Sequence, residues 1–125
     1  MELTKSELEL MEVLWQAGQP LSGSEIISNS KEKSWKNGSI HVLLNSLLNK
    51  QAIQQVGIVK SGKGYARTFE PTITSTEYYS EFLSKSAKRA SVPLIVSALF
   101  RKNEITPQEL DELERLLEEK RRELT

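Results

Sequence analysis

The chain has no cysteine and a single histidine, His41. The first absence excludes disulfides and thiolate-ligated zinc or iron–sulfur sites, and one histidine without clustered acids supplies too few ligands for another metal centre. No metal or cofactor is therefore expected. Long apolar runs are also missing. None approaches the roughly 20 residues that span a bilayer, and the opening Met1-Glu2-Leu3-Thr4 lacks a basic segment followed by an apolar stretch, so we expect a cytoplasmic protein with no membrane partner. Neither charge dominates: 17 Lys and Arg balance 17 Asp and Glu, which excludes attraction of the whole molecule to nucleic acid. Gly62-Lys63-Gly64 is followed by no helix whose N-terminus could hold a phosphate, and the lone histidine has no placed carboxylate. No enzyme is expected.

The charge that is present is unevenly spread. Between positions 31 and 67, Lys31, Lys33, Lys36, Lys50, Lys60, Lys63 and Arg67 face only Glu32, a local balance of seven minus one, or +6. From Glu77 onward nine bases meet ten acids. The basic stretch coincides with a distinctive order of elements. Leu21 to Pro71 reads as helix, loop, amphipathic helix and glycine-tipped hairpin, the order of a winged helix-turn-helix. Ile40, Leu43, Leu44, Leu47 and Leu48 form one apolar stripe at i, i+3, i+4, i+7, i+8 spacing.

Four helix starts are marked by a hydroxyl three residues before a glutamate: Thr4 and Glu7, Ser22 and Glu25, Thr74 and Glu77, Thr106 and Glu109. The spacing predicts helices over 5–17, 23–30, 38–51, 75–90, 92–102 and 107–123, with strands over 54–60 and 65–70. The fold class expected is mainly α with a small β-hairpin: a winged helix-turn-helix head over 1–73 and a helical tail over 74–125. Leu8, Met11, Leu14, Trp15, Ile26, Ile27, Leu43, Leu47, Ile58 and Phe69 can close one core in the head. The tail's apolar residues, among them Val92, Leu94, Ile95, Leu99, Phe100, Leu110, Leu113 and Leu117, are too many for its helices to enclose. They predict a two-fold interface with a second copy, which would set two reading helices roughly 34 Å apart.

The outward face of the third helix carries Asn45 and Asn49, flanked by Ser39, His41, Val42 and Ser46, short side chains suited to base edges and phosphates. Lys36 and Asn37 precede the helix, and Lys60, Lys63 and Arg67 belong to the hairpin. Together these eleven positions are the expected contacts to duplex DNA. For His41, phosphate contact and plain solvent exposure both stay open. For Trp35, beside Lys33 and Lys36, packing under the helix while its indole N–H meets a phosphate is a reading that stays open.

The segments Leu3-Thr4-Lys5-Ser6-Glu7-Leu8 through Leu14-Trp15, Trp35 through Leu47, and Ile105-Thr106-Pro107-Gln108-Glu109-Leu110 resemble the first, reading and last helices of the bacterial penicillinase and methicillin-resistance repressors, the BlaI/MecI/CopY type. The resemblance spans nearly the whole chain. It implies a homodimeric winged-helix repressor that blocks a palindromic operator and leaves on a signal. Three departures accompany it. Family members usually carry Ser-Pro-Lys-Thr after the tryptophan, where this chain has Lys36-Asn37-Gly38-Ser39. Antibiotic-responsive members are cut at an Asn-Phe bond, matched here by Leu99-Phe100. The copper-responsive branch uses cysteines, which this chain lacks. A protein-interaction module and a small-molecule-gated regulator stay open as alternatives, as does the identity of any sensor protein or inducer.

Overall fold

A computed structural model describes all 125 residues. The chain divides into two compact units, Met1–Ser84 and Lys85–Thr125. The first contains α1 (Lys5–Ala17), β1 (Leu21–Ser22), α2 (Gly23–Asn29), a 3-10 turn (Asn37–Ser39), α3 (Ile40–Asn49), β2 (Ile53–Ser61), β3 (Gly64–Pro71) and most of α4 (Ser75–Ser86). The second contains α5 (Val92–Lys102) and α6 (Pro107–Leu124). Mainly helical, with a hairpin wing, this is the expected class. The sheet adds one strand: β1 pairs antiparallel with β3, so the order is β1-β3-β2.

All four hydroxyl–glutamate pairs form reciprocal caps, each satisfying backbone donors at both ends of the first turn. Helix ends follow equally local causes. Gly18 stops α1 in the left-handed region at φ 65°. Ser28, Asn29 and Ser30 each donate a side-chain bond back to the carbonyl four residues earlier, ending α2 after seven residues. The third helix is shorter than the expected 38–51. It is preceded by the 3-10 turn, and it stops where Gln51 takes φ 61° while the Gln51 and Ala52 amides donate to Leu48 and Leu47. That is a Schellman ending with glutamine where glycine is usual. Helix α4 ends at Ser86 rather than 90.

The core of the first unit is built from Leu10, Met11 and Leu14 of α1, Leu21, Ile26, Trp35, then Ile40, Leu44 and Leu47 of α3, with Ala52 just before β2 and Ile53 and Phe69 from the sheet. Leu8, Trp15, Ile27 and Leu43 are only half-buried. Ile58 is not core at all: it is 64% exposed. Val56 is an extra residue between the pairs Gln55–Phe69 and Gly57–Thr68, and Ile58, paired with Arg67 beyond this bulge, lies on the outer half of the hairpin, where every β2 residue from Val56 to Ser61 is exposed except half-buried Gly57. Gly57 fits there because an added Cβ would lie 3.1 Å from the Thr68 hydroxyl. At the hairpin tip only Gly62, at φ 59°, needs glycine's freedom; Gly64 does not.

The first unit extends beyond residue 73, where the head was expected to end, because α4 packs on α1. Tyr78 is buried with its ring 5.9 Å from that of Trp15, the Trp15 indole donates to the Ile73 carbonyl at 2.8 Å, and the Tyr79 hydroxyl donates to Glu12 at 2.8 Å. In the second unit Pro93 and Pro107 lie in the first turns of α5 and α6, where a missing N–H is harmless. No residue of either helix is buried within the single chain.

Candidate nucleic-acid interface

Helix α3 presents two contrasting sides. Ile40, Leu44 and Leu47 are buried, with Leu43 and Leu48 half-buried beside them. On the other side His41, Val42, Asn45 and Asn49 are exposed, Val42 by 70%. Lys36 and Asn37 are exposed just before the helix, with Ser39 half-buried at its first turn. Gly38 stands open, with nothing within 4 Å of an added Cβ, so a side chain in its place would meet no obstacle.

The wing supplies the cations. Lys60 and Lys63 are exposed at its outer end, and Arg67 lies on β3 with its guanidinium 5.2 Å from the Phe69 ring. Tyr65, 78% exposed, pairs with Lys60 across the ribbon, as Ile58 does with Arg67. Between Lys33 and Arg67 the chain has no aspartate or glutamate, so the exposed face of α3 and the outer wing carry no acid of their own. A cleft of about 380 Å³ separates wing from helix, floored by Ile27, Ile40, Leu44 and Phe69 and edged by His41 and Arg67.

One expected contact, Ser46, and the open reading of Trp35 come out differently. Ser46 does not join the outward set: its hydroxyl donates to Glu7 at 2.6 Å. Trp35 does pack in the core, but its indole nitrogen is enclosed and has no partner, so it does not face a surface where phosphate could lie. Lys33 instead covers the Trp35 ring at 5.1 Å. The loop carrying both is tied to α1 by Glu9, which accepts from the Ser34 amide and hydroxyl. That hydroxyl bond above all, with the amide bond and against the opposing effect of burial, holds the Glu9 carboxyl below its ordinary range.

Glu7 carries more than the capping role its sequence position gives it. It caps α1, as its spacing with Thr4 predicts, yet it is also 98% buried by the chain, being 2% exposed. One carboxylate oxygen accepts from the Thr4 amide at 2.8 Å and the Lys50 ammonium at 2.6 Å, and the other accepts from Ser46. Burial pushes its pKa up, but the bonds from Lys50, Ser46 and Thr4 outweigh burial and hold it at about 2. Lys50, bound also to the Glu2 carbonyl at 2.9 Å, is thereby engaged within the fold.

The sequence profile of the penicillinase repressors matches residues 3–119. The chain belongs to the penicillinase repressor family. Its winged helix and basic wing are thus those of a DNA-binding transcriptional repressor, and the family match spans both units. Among solved structures, that of the adhesin competence repressor AdcR of Streptococcus pyogenes is similar at TM-score 0.44 and 15% identity, over 98% of this chain and 81% of that one. No curated protein sequence matches. No helix of this penicillinase repressor family member is long and apolar enough to cross a membrane.

Proposed function

We propose that the protein acts in the bacterial cytoplasm as a homodimeric repressor of a palindromic operator, with Met1–Ser84 reading DNA and Lys85–Thr125 holding the dimer. Asn45, with Val42 and Ser39 nearer the start of α3, reads base edges. Lys36, Asn37, His41, Asn49, Lys60, Lys63 and Arg67 lie along the phosphates, which fix register without carrying sequence.

The observation that supports the dimer is the unburied state of the tail. Val92 and Leu94 are 70% exposed, Leu99 48%, Phe100 42%, Leu110 42% and Leu117 67% within one chain. Ile95 and Leu113 are half-covered. Apolar surface of that extent rarely stays in water, and a second copy covers it by a two-fold contact. The test is sedimentation at micromolar concentration, together with footprinting on a duplex selected for tight binding. A dimer protecting two half-sites a helical turn or a multiple apart is expected. A monomer protecting one half-site would overturn the proposal. Charged replacements at Leu113 and Leu117 should weaken both assembly and DNA binding while leaving the first unit folded.

A further inference from the structure

We propose that Glu7 is a positioning residue for the reading helix: its carboxylate fixes the roll of α3 and so selects which bases the outward side chains meet. The inference rests on the DNA reading above. Its grounds are geometric. Ser46 on α3 and Lys50, the residue that caps it, are four residues apart and so share one side of the helix, and both donate to the same carboxylate. That carboxylate is held in turn by the Thr4 amide at the first turn of α1. Each latched residue is the chain neighbour of an exposed one, Ser46 of Asn45 and Lys50 of Asn49.

The apolar contacts of α3 set which face turns inward. Ile40, Leu44 and Leu47 anchor that face in the core, and the carboxylate adds directional bonds that sharpen the roll about the helix axis. Hydrogen bonds to a buried carboxylate are directional and expensive to leave unmade. A roll of about 20° would carry a side-chain tip, about 6 Å from the axis, through about 2 Å. A bidentate bond to a base edge does not survive that, whereas a long lysine follows a phosphate through it.

The test compares binding of the full chain to a selected operator and to random duplex, at a temperature where circular dichroism shows each variant folded. Glu7→Gln should lower the operator-to-random affinity ratio by about tenfold or more, leaving random-duplex affinity and its salt dependence as in the parent. Ser46→Ala should lower the ratio less. Glu7→Gln combined with Lys50→Gln removes the orphaned ammonium as well, and should regain thermal stability without regaining the ratio. If Glu7→Gln does not fold, the other two variants carry the test. Folded variants that keep the parental ratio, with only their melting temperatures changed, would overturn the inference and leave Glu7 a purely structural acid. A parent chain with no preference among duplexes would overturn the DNA reading itself, and this inference with it.

Discussion

Glu7 and Lys50 stand 43 positions apart in sequence and 2.6 Å apart in the fold, joining the first turn of α1 to the residue that ends α3. Because the Glu7 pKa is lowered from 4.5 to about 2, the folded state favours its ionised form. The stabilisation is complete above the unfolded value and is lost as pH falls from about 4.5 through 2, and it amounts to roughly 3 kcal/mol. Glu9 and Glu77, lowered by bonds from Ser34 and Thr74, act in the same direction. At the alkaline end, burial and then the bond to Glu12 raise Tyr79 from 10 to about 12, so its contribution is present below pH 10 and is lost as pH rises from 10 to 12. Urea midpoints measured across pH should be flat between these windows with respect to these groups, and Glu7→Gln should flatten the acid limb.

Gln51 holds a left-handed conformation at φ 61° to close α3. Its carbonyl accepts from the Thr72 hydroxyl, a bond that needs no side chain at position 51. Gln51→Gly should therefore stabilise the fold by about 0.5–1 kcal/mol, by relieving the Cβ clash of that conformation. Thermal or urea unfolding reads it directly, and a loss of stability would show that the glutamine side chain contributes more than its backbone strain subtracts.

Reading and positioning should separate by mutation. Asn45→Ala is expected to lower operator affinity by about 1–3 kcal/mol while sparing random duplex. Lys63→Ala should weaken both alike and reduce the slope of log affinity against log salt by about 0.9. The reverse pattern would mean that the wing discriminates bases and α3 grips the backbone.

Release should leave the chain whole. The Leu99–Phe100 bond lies inside α5, and a helical bond must first open before a protease can engage it. Immunoblots taken as target genes switch on should show full-length protein throughout; a fragment ending near residue 99 that precedes transcription would refute this.

What could be read from sequence was what is local. The four capping boxes, the Gly18 stop and the stripe on α3 are set within a few residues of one another, and each formed at its expected place. What escaped was set by distant partners or by how far the core extends. Ser46 looked outward until Glu7, 39 positions away, drew it in. Ile58 looked like core because an apolar strand residue gives no sign of how far along a hairpin the core reaches, and the missed strand β1 is two residues long. The contacts that join α4 to α1 were out of reach as well, because Tyr78 and Tyr79 meet Trp15 and Glu12 only after the chain has folded back.

The bulge at Val56 has a consequence for solubility. Strand β2 is an edge of its sheet, nine residues long, and it exposes Val56, Ile58 and Val59. An edge of that length and composition, if regular, offers a template on which other chains can add strands and grow aggregates. The extra residue interrupts the row of free amides and carbonyls, Gly57 beside it has low strand propensity, and Lys60 sets a charge on the outer half. The wing is thereby guarded against indiscriminate sheet growth.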